Sequence, residues 1–526
     1  MRGDQPAGDA DPPRRAERHE GARDRAPRIR ARDRERGPAR HRQGAPRVAR
    51  RAARLPRYVT SSLPRLRGVA RLTLPQLRVP PDVERVVAKL LASGYEAYVV
   101  GGSVRDAIRG VDPHDWDVTT SATPEEIQKV FRRSLYLNHF GTVVVRSGDH
   151  EIEVTTYRIE AGYADHRHPS KVAFTDSLHE DLERRDFTMN AMAWRPAVGG
   201  DSGGEAPRIV DPFGGQRDLE SRIVRAVGDP RERFQEDALR MLRAVRFATL
   251  LGFTIEPATA EAIRASAHLA AALSGERIQM ELTKMLGAPK PSVALRMLSD
   301  LGLLEVICPE LELCKTTPQD KAVAQDVFEH SLATVDATPA DDLVLRLAGL
   351  FHDIGKPATF ADGHFHQHEF VGEAKAREIL RRWRFDKDTI AQVTHLIRHH
   401  MFWYQTEWTG SAVRRFVRKV GLENIPALFR LRRADNIGSG ARSPRMYALE
   451  ALWERVQEEI AAAAAFSLRD LAVNGNDVMQ ELGIASGPEV GRVLAELFER
   501  VLDEPALNTR ERLLALAREI ERKGPG

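Results

Sequence analysis

The sequence predicts an α+β chain: a head of short strands mixed with helices, followed by a body built from helices alone. Two patterns carry this prediction. Between about residue 80 and about residue 220, runs that alternate apolar and polar residues, such as DWDVTT, VVVRS and EIEVTTYR, are interleaved with short helical stretches. Beyond about residue 230 the strand-like alternation stops, and apolar residues recur at helical spacing between Gly and Pro breaks. At 526 residues the chain calls for several domains rather than one, and it shows no fixed-period repeat.

Residues 1–75 are nearly all Arg, Asp, Glu, Pro, Gly and Ala without apolar periodicity, so a disordered Arg/Pro-rich extension is expected there. Asp9, Asp11, Glu17 and Glu20 mix acid among its arginines, as in a solvated tail and unlike an acid-poor transit peptide. No continuous apolar leader is present, and no run approaches the roughly 20 residues of a membrane span. A composition of 42% hydrophobic and 29% charged residues suits soluble protein with sizeable cores. Cys308 and Cys314 have neither CxxC spacing nor further partners, so free thiols in a reducing cytoplasm are expected. The net charge of +4 leans weakly toward a polyanionic partner.

The globular part opens with PDVERVVAKLLASG, an amphipathic helix closed by Gly94, followed by the strand-like YEAYVV. The segment GGSVRDAIRGVDPHDWDVTT (101–120) then combines three features. Gly101, Gly102 and Ser103 fall between a strand and a helix, where glycine lets a ligand approach the backbone and the helix start offers N–H groups to an anion. Arg105 adds a cation beside them. Asp115 and Asp117 are two apart, so on a strand they face one way. Adjacent carboxylates repel, and a hard divalent cation between them relieves this; Mg²⁺ typically takes one or two carboxylates plus substrate phosphates. A bare Asp-x-Asp is more often a solvated turn, but with the glycines and Arg105 it reads as a triphosphate-plus-metal site. Glu151 and Glu153 share a face of EIEVTTYR, and Glu153, directly before VTTYR, is preferred as a third carboxylate.

In the helical part, ERFQEDALRMLRAVRFATLLG (232–252) reads as one long amphipathic helix. Asp237 and Arg240 are three apart and so share a face. Ionised Asp only accepts hydrogen bonds and Arg only donates them. Cytosine and adenine each show an exocyclic amine beside a ring acceptor, which suits this pair; uracil and guanine mismatch both side chains. An ordinary i,i+3 surface salt bridge is the plainer alternative. In RRDFTMN (184–190), Arg185 and Asp186 together match a ribose 2′-hydroxyl, which donates and accepts, and Asn190 supports the turn. Further on, His352 and Asp353 are adjacent in LRLAGLFHDIGK, with His330 before them and Asp435 after. Imidazole with carboxylate suits a transition metal better than Mg²⁺. His368 and either His399 or His400 could extend that ligand set.

These motifs resemble, in order, those of the class II CCA-adding tRNA nucleotidyltransferases and related poly(A) polymerases, polymerase-β-like enzymes, here with an HD domain. GGSVRD with DWD is similar to the family's catalytic signature, and RRDFTMNAMA to its ribose motif. DPFGG (211–215) resembles the hinge, EDALRMLRAVRFA (236–248) the nucleotide-selecting helix, and GERIQMELTKML (275–286) the helix closing the neck. The resemblance runs from about residue 80 to past 450. It implies a polymerase-β-like nucleotidyltransferase head at 76–220, a helical neck at 221–310 for nucleotide selection and RNA binding, an HD metal-binding domain at 311–460 and a helical tail at 461–526.

The same resemblance implies addition or repair of the 3′-terminal CCA of tRNA from CTP and ATP, without a template, by two-metal nucleotidyl transfer. Its partners are then tRNA, ATP and CTP, with no membrane and no DNA. Asp115, Asp117 and Glu153 are the implied catalytic residues, with Mg²⁺ on Asp115 and Asp117. Gly102, Ser103, Arg105, Arg185, Asp186, Asn190, Asp237 and Arg240 are the implied nucleotide contacts. His330, His352, Asp353 and Asp435 are the implied ligands of a divalent transition metal, with phosphohydrolase activity. YADHRHPSKVAFTDSL (163–178) falls where the family carries a flexible loop that helps switch from C to A, which favours full CCA addition. Gln367 departs from the Gly many relatives have before His-Glu. A poly(A) polymerase shares the head motifs, but more often lacks an intact HD set and ends in a long basic tail, unlike this chain. An HD phosphohydrolase whose head only binds RNA is the third reading, and intact Asp115 and Asp117 oppose it.

Overall fold

In the computed structural model, residues 79–523 are described, except 114, 138–140, 149, 164–168, 198–206, 320–323, 325, 403–407, 441–443 and 463–465. The expected extension at 1–75 and the tip of the segment 163–178 lie outside the described residues.

Helix α1 (Pro81–Ala92) has Pro at its first position, Asp82 and Glu84 in its first turn and Lys89 in its last, so charge matches the helix dipole at both ends. It buries Val83, Val86, Val87 and Leu90, one stripe at helical spacing. Gly94, at φ 89°, then turns the chain into β1 (Ala97–Val100), every residue of which is buried. Helix α2 (Gly102–Ile108) follows directly, then β2 (Asp117–Thr120) and α3 (Pro124–Val130). Strands β3 (Ser134–Tyr136), β4 (Thr142–Ser147) and β5 (His150–Thr156) come next, then the hairpin stems β6 (Arg158–Tyr163) and β7 (Pro169–Phe174).

Helix α4 (Leu178–Glu183) leads to β8 (Ala193–Arg195) and β9 (Arg208–Val210). Seven of these strands form one sheet in the order β3-β4-β5-β2-β1-β8-β9, while β6 and β7 pair separately. Strands β2 and β5 run parallel and every other neighbouring pair in the sheet is antiparallel. The mixed sheet expected of the head is therefore present.

The motif DPFGG builds a turn. Both Asp211 carboxylate oxygens accept backbone N–H groups, from Gly215 at 2.7 Å and Gln216 at 2.9 Å, at the start of α5 (Gly215–Ser221). A Cβ on Gly215 would lie 2.3 Å from the Thr188 carbonyl oxygen, so this residue must be glycine for the turn to seat against RRDFTMN.

The long helix expected over 232–252 is two helices, α6 (Pro230–Glu236) and α7 (Leu239–Leu251). Asp237 is extended, with φ −140° and ψ 105°, and its carboxylate accepts from the Leu239 N–H at 3.0 Å. Aspartate here competes with the helical ladder and starts a new helix instead. Asp237 and Arg240 therefore do not share one continuous helix face. Helices α8 (Pro257–Ser266) and α9 (Gly275–Leu286) follow within the expected neck. The helical part also holds strands of two residues each: Thr254–Ile255, parallel to Ile223–Val224, and a hairpin of Phe360–Ala361 with His364–Phe365. Two residues are too few to show an alternation.

The body is built from helices that include Val327–Asp336, Leu343–Phe351, His368–Arg382, Lys387–His399 and Ile425–Gly438. One hydrophobic core runs from Val79 to Val456 through head, neck and body, and a separate one from Leu471 to Ile520 lies in the tail. Neck and body meet tightly: a Cβ on Gly275 would lie 2.1 Å from the Arg382 carbonyl oxygen. Arg346, buried in the body, donates to the carbonyls of Val335 and Pro339 and, at 3.3 Å, to Ala288 of the neck. Cys308 and Cys314 are buried and unlinked, and burial pushes both thiols up. Among the described residues no helix is long and apolar enough to cross a membrane.

Candidate functional site

Parallel pairing sets Asp117 on β2 opposite Glu153 on β5. Asp115 is not on the strand; it lies in an exposed bend two residues before β2 begins. Asp115 and Glu153 both still act on Asp117. Burial pushes the Asp117 carboxyl up, the Arg185 guanidinium opposes this, and the charges of Glu153 and Asp115 push it further up. Glu151, further along the same strand, is exposed and paired with Arg146 at 3.0 Å. The turn after β1 brings the backbone against this group. Gly101 has φ 78°, and a Cβ there would lie 3.1 Å from Arg185 Nη1 and 3.6 Å from Asp117 Oδ2. Ser103 is buried and donates to the Val100 carbonyl at 2.9 Å, so its hydroxyl closes the turn.

Beside the carboxylates is a cavity of about 390 Å³. Gly101, Gly102, Arg105 and Asp117 line it from the sheet, Arg184, Arg185, Asp186 and Asn190 from the RRDFTMN turn, and Asp237, Arg240, Arg243 and Phe247 from the neck. Arg158 and Arg277 complete the guanidinium set, which makes seven arginines against three aspartates. Such an excess favours a polyanion such as a triphosphate.

Polar side chains in the cavity hold one another in place. Arg105 donates to Asn190 Oδ1 at 2.9 Å, and Asn190 Nδ2 donates to Asp186 Oδ1 at 3.0 Å. The other Asp186 oxygen accepts from Arg243 at 2.6 and 2.7 Å. Burial opposes charge on Asp186, but the Arg243 guanidinium and the Asn190 amide outweigh it and hold the carboxyl below its usual range. Asp181 is fully buried behind Arg184 and Arg185. It accepts from both and from Thr119, and these contacts keep it low against its burial.

The pair Asp237 and Arg240 both face the cavity, but not as an i,i+3 salt bridge. Asp237 is ion-paired with Arg277 of α9 at 2.7 Å. Arg240 is buried, paired with Glu236, and donates to the carbonyls of Arg233 at 3.1 Å and Arg184 at 3.0 Å. Sequence reasoning did not single out Glu236, Arg243, Arg277 or Asp181. The three-residue repeat of Arg240, Arg243 and Arg246 was a usable signal for Arg243.

In the body, three helices and the ends of two more converge on a buried cluster. His330 Nε2 lies 3.0 Å from His352 Nε2, 3.4 Å from Asp353 Oδ2 and 3.1 Å from Asp435 Oδ1. The four expected ligands are thus brought together. His368 and His400 join them, each Nε2 facing Asp353 Oδ1 at 3.3 and 3.7 Å. His399 does not; its ring packs at a tilt against His395, and burial lowers its pKa to about 4. Lys356 donates to Asp353 Oδ2 at 2.6 Å and to Gln319 at 3.2 Å. Burial lowers the pKa of His352 and of His400, which favours the neutral, ligating form. Gln367 adopts φ 56° immediately before His368, a left-handed conformation that glycine adopts more easily.

Comparison with known proteins gives matches along most of the chain. Residues 97–225 match the model of the Poly A polymerase head domain, and residues 252–314 that of the RNA and SrmB-binding site of polymerase A. Residues 367–517 match domain 2 of a tRNA nucleotidyltransferase. A CCA-adding enzyme of Enterococcus faecalis is 34% identical over 440 residues, 84% of this chain and 96% of that one. One from Levilactobacillus brevis is 35% identical over 433 residues, 82% of this chain and 95% of its own length. Among solved structures, the CCA-adding enzyme of Bacillus stearothermophilus in complex with CTP superposes with a TM-score of 0.61 at 31% identity, covering 85% of this chain and 99% of that one.

Proposed function

Because the chain belongs to the family of CCA-adding enzymes and related poly(A) polymerases, we propose how its own residues divide the family's work. The protein is a CCA tRNA nucleotidyltransferase with a polymerase-β-like head, adding the 3′-terminal CCA to tRNA from CTP and ATP. Nucleotidyl transfer in this family uses a divalent cation.

In the proposed assignment, Asp115, Asp117 and Glu153 hold Mg²⁺ at the Gly101 turn. The donor set fits: Asp115 and Glu153 both bring like charge to the buried Asp117, which a hard cation bound there would relieve. When bound, the cations activate the tRNA 3′-hydroxyl and neutralise the leaving pyrophosphate. Arg105 and Arg185 take the triphosphate charge, with Arg158 and Arg184 beside them, and Gly102 lets the backbone approach. Ser103 acts by closing the turn. Asp186 and Asn190 face the ribose. Asp237 accepts from the exocyclic amine of C or A while Arg240 donates to the ring nitrogen. The side-by-side register of Asp117 and Glu153 next to an arginine-lined cavity carries this reading.

The body supplies a second centre in this proposal: His330, His352, Asp353 and Asp435 hold a divalent transition metal for a phosphohydrolase reaction. Head, neck, body and tail divide at 76–220, 221–310, 311–460 and 461–526, and the tail's separate core supports the last boundary. A cytoplasmic setting suits the two unlinked thiols. The deciding experiment incubates the protein with a tRNA lacking CCA and each labelled nucleotide in turn. Two C additions followed by one A are expected. A long run of A alone would replace this reading by poly(A) synthesis, and no addition at all would leave only the body as an enzyme.

A further inference from the structure

The row of register partners that contains Asp117 and Glu153 continues to the edge of the sheet. Asp117 pairs with Glu153, Glu153 with Val144 and Val144 with Leu135, one cross-strand line from β2 through β5 and β4 to the edge strand β3. Directly opposed residues project to the same face of a sheet. Leu135 therefore stands on the face of the two carboxylates, three strand spacings or roughly 14 Å from Asp117. The other face carries Val143, Val145, Ile152 and Val154, all buried, and packs on α1 and α3.

Along this line the carboxylate face is open. Glu153 is exposed, Val144 is half-buried and Leu135 is 64% exposed. Leu137 donates to the Thr142 carbonyl at 3.1 Å, which extends the β3–β4 ladder in the same register, and it is 49% exposed. One exposed leucine is ordinary, but two on one face beside a charged centre form an apolar ledge that gains from being covered. A basic row borders it. The Arg133 carbonyl accepts from the Arg146 N–H at 3.2 Å, again in register, and both side chains are exposed.

The nucleotide cavity lies on the other side of Asp117, toward the Gly101 turn and the neck, and among the described residues none of β3, β4 or β5 lines it. In-line nucleotidyl transfer puts the attacking and leaving oxygens on opposite sides of the phosphorus. With the triphosphate held by the arginines of the cavity, the attacking 3′-hydroxyl has its approach over β5 and β4.

We propose that the terminal nucleotides of the tRNA lie on this ledge, with base faces against Leu135, Leu137 and Val144 and phosphates toward Arg133 and Arg146. This rests on the reading of Asp115, Asp117 and Glu153 as the metal site and adds to it the place of the second substrate. Packing against a base face is tolerant of sequence, because every base has one. That tolerance suits CCA addition, in which the nucleotide at the 3′ end changes after each step.

The test compares L135E and L137E with the wild type, each as the full-length chain, on a tRNA lacking CCA. A glutamate on the ledge repels phosphate and removes the apolar contact. The kcat/KM for tRNA should fall by about tenfold or more, with KM for CTP and ATP unchanged. In a second measurement Leu135 is replaced by the photo-reactive p-benzoylphenylalanine, and cross-links should map to the last nucleotides of the tRNA. An unchanged kcat/KM for tRNA in both glutamate variants overturns the ledge and leaves the metal site standing. Cross-links confined to the acceptor stem, or none at all, do the same. Near-wild-type addition by D117A overturns instead the metal-site reading on which the ledge rests. If the glutamate variants do not fold, the cross-link map decides alone.

Discussion

Asp117 and Glu153 are register partners on the parallel strand pair of the seven-stranded sheet, so two carboxylates from distant parts of the sequence stand side by side. Arg185, which meets Asp117 across the Gly101 turn, opposes the charge gathered there. Replacing Asp117 or Asp115 by Ala should lower nucleotide addition by at least about 1,000-fold, the scale of about 4 kcal/mol of lost transition-state stabilisation. Phosphohydrolase activity of the body should persist. Near-wild-type addition by either variant in a gel assay would remove these residues from the metal site.

The same pair predicts a pH response. The folded pKa of Asp117 is raised, so a proton competes with the cation at a higher pH than for an ordinary carboxyl, and addition should fall as pH drops through that raised value. Without a cation, the charged form is disfavoured in the fold, so its destabilising contribution, present above the folded pKa, should fade as pH falls through it. Glu153→Gln removes one of the charges that raise this pKa. The acidic limb of the kcat/KM profile should then move to lower pH, even as the rate falls by about 100-fold. An unmoved limb would mean that Glu153 does not face the reacting ions.

Base choice should depend on how Asp237 and Arg240 are held. Arg240→Ala should reduce kcat/KM for CTP and ATP by about 100-fold or more and relax rejection of UTP and GTP, because polar recognition of a base edge discriminates strongly. Glu236→Gln, which loosens Arg240 without touching the base, should give a smaller effect of the same kind. Reduced rates with unchanged base preference, measured by competition among the four nucleotides, would make the pair a structural device.

His352→Ala or Asp353→Ala should abolish metal-dependent hydrolysis of a phosphodiester such as bis(p-nitrophenyl) phosphate and leave CCA addition within about threefold, since the ligand sets lie in different parts of the fold. Loss of both activities in a variant with a wild-type circular dichroism spectrum would contradict two independent centres.

Gly215→Ala tests the hinge. Its Cβ would meet the Thr188 carbonyl oxygen at 2.3 Å, so the DPFGG turn must move off the RRDFTMN turn. A loss of about 2 kcal/mol in chemical denaturation is expected, with a raised KM for both nucleotides. An unchanged KM would uncouple the hinge from the nucleotide cavity.

The glycine turn and the His-Asp core were legible because each is a short string whose spacing carries the chemistry; the strand spacing expected of Asp115 and Asp117 was not met, since β2 begins only at Asp117. Less legible was whatever depends on pairing at a distance. Glu153 could be preferred over Glu151 from the sequence, but only the β2–β5 register sets it opposite Asp117. Asp181 looks like any acid of a short helix until the fold buries it behind Arg184 and Arg185. The break at Asp237 was missed because the apolar period continues across it, whereas a single side-chain bond to the Leu239 N–H decides the backbone. The choice between His399 and His400 was present in the periodicity: Val393, Leu396 and Ile397 are buried, and His400 continues that stripe.

The contact between Gly275 and the Arg382 carbonyl also bears on how such genes can be recombined. The helix His368–Arg382 begins in the buried His/Asp cluster and ends against the residue two before Arg277, the ion-pair partner of Asp237. A chimera that joins the neck of one relative to the body of another brings together two surfaces that were never fitted to each other, at a contact with no room for a methyl group. A crossover ahead of the tail meets a gentler boundary, where Arg415 and Arg418 face Glu499 across ion pairs and each side keeps its own core. Lineages should therefore exchange tails far more readily than bodies.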